Sequence, residues 1–168
     1  MKKLALSTLA ASAMFAQAAY AETTKQEFMA MSKVASLCKT LKSSGIKVAV
    51  VFNGSNATSV ADKDSLLSLV KSKKYEVSAV DIANVASVDA NLVILADTLS
   101  EDDQSKVAST FTGKPVLTVS TDMACVESGK CMLGVDVKPV IKLLVDSNLL
   151  EKSGLKFDSA FNFMVKQI

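Results

Sequence analysis

The length of 168 residues suits one compact domain, and the composition excludes several classes of function. The chain contains no arginine, histidine or tryptophan, which excludes bidentate phosphate clamps, imidazole general bases and histidine metal sites. The formal net charge of +2 gives no electrostatic reason for binding nucleic acid or an anionic membrane. We therefore predict no cofactor and no nucleic-acid partner.

The first 21 residues have the pattern of a secretory signal peptide. Two lysines precede an apolar stretch over residues 4–19, and small residues follow, with a cleavage site after Ala21. Polar residues interrupt the apolar stretch, which is too short for a spanning helix. We expect residues 22–168 to form a single exported domain that does not insert into the membrane.

Hydrophobic periodicity predicts helices that alternate with strands over residues 24–119. The predicted helices cover residues 24–44, 62–74 and 100–112. The predicted strands cover residues 46–52, 76–81, 91–96 and 116–119. Strands that alternate with helices indicate a mostly parallel sheet with helices on both faces, which is a three-layer α/β/α sandwich.

The C-terminal part of the sequence predicts a different arrangement. Residues 132–135 and 140–145 are apolar and flank residues 136–139, which indicates an antiparallel or hairpin element after the parallel strands. Residues 148–153 predict a short helix that ends before Gly154. We expect a last helix whose buried face carries Phe157, Phe161, Met164 and Val165.

The three cysteines fall into a pair and a single residue. Cys125 and Cys131 bracket a short polar loop, and in an exported protein such a pair persists as a disulfide. Closing so short a ring contributes on the order of 2 kcal/mol to stability, and the bond is either a structural staple or a redox-sensitive switch. Cys38 lies at helical spacing from Val34 and Leu41, so we expect a buried and inert thiol.

Polar residues follow several predicted strands at their carboxyl ends, where open parallel sheets bind ligands. The candidate ligand-binding residues are Asn53, Gly54, Ser55, Asn56, Asp97, Thr121 and Asp122. No glycine-rich nucleotide motif accompanies them. A small polar ligand is therefore one interpretation, and ordinary duty as turn and helix-cap residues is the other.

The sequence offers no catalytic constellation. Without histidine, a nucleophile would depend on lysine, a carboxylate or cysteine, and no serine lies in a G-x-S-x-G setting. Residues 101–103 form an acidic cluster directly after Ser100, where the first turn of a helix favours negative charge. We interpret this cluster as a helix start and predict neither catalytic nor metal-binding residues.

Four patches of sequence from residue 91 to the C-terminus resemble the YfiR-like family of small periplasmic proteins. They are residues 92–95 with 99–103, residues 113–119, the loop from Cys125 to Cys131, and residues 146–149 with 153–157. The order and spacing of the patches carry the resemblance. It implies a three-layer α/β/α domain that is not an enzyme and acts by contact with another protein.

The family resemblance also implies a kind of partner. The family's namesake restrains an inner-membrane diguanylate cyclase from the periplasm and contains a comparable disulfide. By this resemblance, the partner is an envelope or inner-membrane protein, and the bond between Cys125 and Cys131 sets the competence of a binding surface.

Two hypotheses of function follow from the sequence. The first is a periplasmic regulatory module that binds an envelope protein, which predicts an exposed apolar patch. The alternative is a small-ligand receptor related to transporter-associated binding proteins, which predicts a concave, partly apolar pocket at the loops around Asn53 and Asp122. The identity of the partner and the presence of a homodimer stay open.

Overall fold

The computed structural model describes residues 23–73 and 75–168, so the predicted signal peptide lies outside the described residues. The helices are α1 (Lys25–Leu37), α2 (Lys39–Ser44), α3 (Ala57–Lys71), α4 (Glu101–Phe111), α5 (Met123–Glu127), α6 (Ser147–Ser153) and α7 (Ser159–Asn162). The strands are β1 (Lys47–Phe52), β2 (Glu76–Asp81), β3 (Leu92–Leu95), β4 (Leu117–Ser120), β5 (Leu133–Asp136), β6 (Lys142–Val145) and β7 (Lys166–Gln167). A 3-10 helix over Ile82–Ser87 follows β2.

The strands form one sheet in the order β2-β1-β3-β4-β5-β6-β7. All neighbouring strands are parallel except β5 and β6, which pair antiparallel with Gly134 opposite Leu144. The sheet therefore confirms the predicted α/β fold, including the antiparallel element near the C-terminus.

Alternate residues of the central strands face two separate apolar cores. Val48 and Val50 of β1 belong to the core that contains residues of α1, α2 and α3. Ala49 and Val51 belong to the second core, with residues of the 3-10 helix, α4 and α5. A strand buried on both faces is apolar at every position, which explains the continuous apolar run in β1.

The first helix is shorter than predicted. The periodicity predicts one helix over residues 24–44, but Cys38 adopts an extended conformation and separates α1 from α2. Backbone hydrogen bonds hold the chain there, from Lys39 to Lys156 and from Asp158 to Leu37. The break depends on pairing with a segment more than a hundred residues away in the chain, which local periodicity does not reveal.

The second predicted helix starts too late. The prediction begins at Asp62, whereas α3 begins at Ala57 because the Asn56 side chain accepts hydrogen bonds from the backbone of Thr58 and Ser59. Asp62 consequently lies inside the helix, where its side chain is fully buried. In contrast, α4 starts as predicted, with the Ser100 hydroxyl accepting a bond from the Asp103 backbone.

The predicted last helix is wrong. The chain forms only the single turn α7 and then enters β7, which pairs with β6 at the edge of the sheet. Phe161 is buried, whereas Met164 is exposed, so the expected apolar face does not exist as one surface. The edge of β6 offers backbone groups for strand pairing, and this long-range opportunity overrides a helical pattern of apolar residues.

Candidate functional site

The predicted ligand-binding loops lie at the carboxyl ends of β1, β3 and β4, on one edge of the sheet. The chain passes from β1 to β2 on one side and returns to β3 on the other, so β1 and β3 flank the topological switch point. Ligands of open α/β sheets bind at this position. We call the region around Asn53, Asp62, Asp97 and Asp122 the strand-end crevice.

The loop after β1 is held by its own hydrogen bonds. The Asn53 backbone donates to the Ser59 hydroxyl at 3.0 Å, and the Asn53 side chain donates to Asp103 at 2.9 Å. The Ser55 backbone donates to the Asn53 side chain at 2.9 Å. The conformation of this loop is therefore fixed by hydrogen bonds within the chain.

Gly54 and Asn56 also have structural contacts. The Gly54 backbone donates to Asp81 at 2.9 Å, and a Cβ at position 54 would collide with that carboxylate. Asn56 caps α3. These contacts account for both residues as turn and cap residues, and a role in binding a ligand stays a prediction.

The Asp62 carboxylate links α3 to Thr23 and to the loop after β3. The sequence analysis did not identify Asp62 as a site residue. Its carboxylate accepts hydrogen bonds from the Thr23 backbone at 2.5 Å, from the Thr23 hydroxyl at 3.1 Å and from the Asp97 backbone at 2.7 Å. The start of the described chain is thereby tied to the loop after β3. The available signal was its helical spacing with Leu66 and Val70, which places a carboxylate in a buried apolar stripe.

Asp97 lies among other carboxylates at the end of β3. Burial raises the pKa of Asp97, the Thr98 backbone hydrogen bond lowers it, and the negative charges of Asp62, Asp122 and Glu27 raise it further. Within the described residues, no group of three or more acidic or cysteine side chains is arranged to hold a metal ion. The end of β3 is therefore an acidic environment.

The two candidate residues after β4 differ in their contacts. Asp122 caps α5 and accepts a hydrogen bond from the Gln104 side chain at 2.9 Å. Thr121 is half-buried beside it. Next to Asp97, Thr98 adopts a positive φ of 66°, and its buried hydroxyl has no hydrogen-bond partner among the described residues.

Cys125 and Cys131 form a disulfide with a Cα–Cα distance of 5.3 Å, and both residues are fully buried. The predicted polar loop between them is wrong in its first part, because Cys125 lies within α5 and Val126 is buried. The backbones of Lys130 and Cys131 both donate to the Cys125 carbonyl. Cys38 is buried with a free thiol, as predicted, and burial raises its pKa.

Exposed apolar side chains concentrate around the hairpin formed by β5 and β6. The exposed large apolar residues of the described chain are Met29, Val140, Ile141, Phe163, Met164 and Ile168. A groove of about 820 Å³, which we call the hairpin groove, is lined by Gln26, Met29, Ala30, Lys33, Val137, Pro139, Val140, Ile141, Leu143 and Met164.

A second groove of about 560 Å³ adjoins the hairpin groove, and Ile141, Leu143 and Met164 line both. Val140 and Ile141 are 62% and 66% exposed, and Phe163 is 91% exposed. Apolar surface on this scale and with this continuity is typical of a protein interaction site. No helix in residues 23–73 or 75–168 is long and apolar enough to cross a membrane.

Two solved structures are similar in fold to the chain. A conserved domain protein from Vibrio cholerae O1 biovar El Tor has a TM-score of 0.62 and 12% identity, over 85% of this chain and 59% of that one. An ABC domain from Streptococcus pneumoniae in complex with L-Trp has a TM-score of 0.62 and 10% identity, over 82% of this chain and 61% of that one. The chain thus spans about three fifths of both proteins, and these likenesses establish the fold alone.

The sequence comparisons identify the family. No curated protein matches the sequence at a significant level. Residues 39–161 match the YfiR/HmsC-like family, which confirms the resemblance found in the sequence. Because the match covers most of its length, the chain belongs to the YfiR/HmsC-like family.

Proposed function

We propose that the protein is a periplasmic regulator that binds the periplasmic part of an inner-membrane protein through the surface around the hairpin groove. The observation that carries this proposal is the concentration of exposed apolar side chains there, with Met29, Ile141 and Met164 lining one groove. Exposed apolar surface loses its contact with water on binding, which drives association.

Further support comes from the family and from the contrast with the strand-end crevice. A regulator in the periplasm acts on the cytoplasm only through a protein that spans the inner membrane. A membrane diguanylate cyclase, the target of the family's namesake, is a partner of this kind. In the crevice, polar groups are engaged with one another, as Asp62 is with Thr23 and Asp97, so this region offers less free surface for a protein partner.

The proposal is tested by site-specific photo-crosslinking in native envelopes. A photoreactive amino acid is placed at Ile141, and in a matched control at Ala79, which is exposed on the opposite edge strand β2. We expect one inner-membrane protein to crosslink from position 141 and not from position 79. Adding Ile141→Asp to a variant that carries the crosslinker at Met29 should abolish the crosslink.

The absence of a specific crosslink from positions 29, 141 and 164, in variants that are exported and folded, would overturn the proposal. Equal crosslinking from position 79 would also overturn it, because the apolar surface would then confer no preference.

A second candidate function is a small-ligand receptor that uses the strand-end crevice. The switch-point position and the unpartnered hydroxyl of Thr98 favour it. The similar fold of the Streptococcus pneumoniae domain is described in complex with L-Trp, which makes free amino acids the first ligands to test. A ligand present at 100 times its dissociation constant adds about 2.7 kcal/mol of stability, which a thermal-shift assay detects. No shift with any amino acid would count against this function.

A further inference from the structure

The hairpin groove has a helix as one wall. Gln26, Met29, Ala30 and Lys33 line it from α1, at the positions i, i+3, i+4 and i+7 of one helical stripe. The opposite side of α1 packs into the core through Phe28 and Met31. Because this stripe lines the groove, a second helix is able to pack against it, with the small Ala30 between larger residues allowing close approach.

The hairpin groove itself is lined by one charged residue. Lys33 is the one charged residue among those that line it. Lys138, at the tip of the hairpin, is also exposed. No carboxylate of the described residues forms an ion pair with either lysine. The nearest acid in the hairpin, Asp136, lines the second groove, lies 3.9 Å from Lys142 and accepts a hydrogen bond from the Lys138 backbone at 2.9 Å. The groove thus presents positive charge that a partner is able to neutralise.

We infer that the hairpin groove receives an amphipathic, acidic α-helix of the partner, which packs alongside α1. The partner's apolar side chains contact Met29, Ile141 and Met164, and its carboxylates face Lys33 and Lys138. The stripe from Gln26 to Lys33 is about two helical turns long, at about 1.5 Å per residue. This inference rests on the proposed function and specifies the chemistry of its partner.

The shape of the surface favours a helix over other occupants. The hairpin groove is concave, so a flat bilayer would leave its floor unfilled. The apolar surface continues past Ile141 and Met164 into the second groove. Together the two grooves form a surface larger than a drug-sized molecule covers. The helical wall and the unpaired lysines are complementary to an acidic helix in both shape and charge.

The test uses two synthetic peptides of about 15 residues, the length at which an isolated helix starts to form. Both carry leucine at helical spacing, and their flanking residues are glutamate in one peptide and lysine in the other. Binding to residues 22–168 is measured by fluorescence anisotropy. We expect the acidic peptide to bind at least about fivefold more tightly, in line with the strength of exposed ion pairs.

Charge reversal on the protein sharpens the test. Lys33→Glu should weaken binding of the acidic peptide and strengthen binding of the basic one. Lys114→Glu, a matched reversal at an exposed lysine after α4 on the opposite face of the sheet from α1, should change neither affinity. Equal affinity for both peptides, or insensitivity to Lys33→Glu, would overturn the inference. Anionic vesicles that bind the protein and compete with the acidic peptide at the groove would overturn it as well.

The two proposals fail in different ways. If the acidic preference is absent but position 141 still crosslinks to an inner-membrane protein, the partner is not an acidic helix and the proposed function survives. If the crosslink is absent, the proposed function fails whatever the peptides do.

Discussion

The strand-end crevice and the hairpin groove differ in how far contacts within the chain satisfy their side chains. In the crevice, polar side chains bond to one another, and the buried carboxylate of Asp62 ties Thr23 to the loop after β3. At the groove, large apolar side chains such as Ile141 remain exposed with nothing in the described chain covering them. The fold thus closes one region by itself, and we propose that a partner closes the other.

The largest expected effect in this comparison comes from Asp62→Ala. The substitution leaves the Thr23 backbone, the Thr23 hydroxyl and the Asp97 backbone without their acceptor in a buried place. We expect unfolding free energy to fall by about 3 kcal/mol, as measured by urea denaturation. Asp62→Asn keeps an acceptor oxygen and should recover part of the loss.

The matched control for Asp62 is Asp64→Ala on the same helix. The Asp64 side chain is 65% exposed, so its loss should change stability by less than about 0.5 kcal/mol. Similar effects of the two alanine variants would show that the bonds of Asp62 do not hold the crevice closed.

The next largest effect concerns the buried disulfide. Reduction, or the double variant Cys125→Ser/Cys131→Ser, should lower the unfolding free energy by about 2 kcal/mol, because the unfolded chain gains the freedom that the short ring removes. Cys38→Ala leaves the disulfide intact, so reductant should lower the unfolding free energy of this variant as much as that of the wild type. A double variant that still responds to reductant would contradict this assignment.

Partner capture separates the two roles of the disulfide. If the double variant recovers the same membrane protein as the wild type, the bond is a structural staple. If the partner is lost while the fold is retained, the bond controls the competence of the binding surface. Affinity capture from native envelopes, followed by identification of the bound proteins by mass spectrometry, makes this comparison directly.

A smaller effect is expected from the acidic surroundings of Asp97. Burial and the nearby carboxylates raise the pKa of Asp97, so the folded state holds a proton more tightly than the unfolded state does. The resulting loss of stability is absent below the ordinary carboxyl range and develops as pH rises through the unfolded and then the folded pKa. Asp97→Asn, which cannot ionise, should therefore raise stability at about pH 7 and not at about pH 3.

Denaturation of the Asp97 variant at both pH values checks the sign of the effect. A loss of stability at about pH 7 would mean that the carboxylate is held by favourable contacts that outweigh its burial. A gain of equal size at both pH values would exclude titration as the cause.

The sequence predicted most of the fold because its central strands and caps carry local signals. The continuous apolar run of β1 indicates a strand buried on both faces, and Ser100 marks the start of α4. The errors occur where distant segments meet. The break at Cys38 depends on its bridge to Phe157, and β7 forms because the edge of β6 is available.

The same distinction applies to the candidate sites. The polar strand-end residues were found because turn and cap residue types stand out after apolar strands, whereas Asp62 was missed because its role depends on Thr23 and Asp97. The hairpin groove unites α1 with a hairpin more than a hundred residues later. Composition gives no sign of which apolar residues will remain exposed, so this surface became visible only in the folded chain.

The last prediction concerns a residue whose loss should leave stability unchanged. Ile141 is 66% exposed, so Ile141→Asp should shift the unfolding free energy by less than about 0.5 kcal/mol. Binding to the envelope partner should nevertheless fall at least about tenfold, since a buried carboxylate at the centre of an apolar contact is strongly unfavourable. Ala79→Asp, at the opposite edge of the sheet, should leave binding unchanged. If Ile141→Asp instead destabilises the protein and binds normally, Ile141 serves the fold, and the hairpin groove loses its distinction from the crevice.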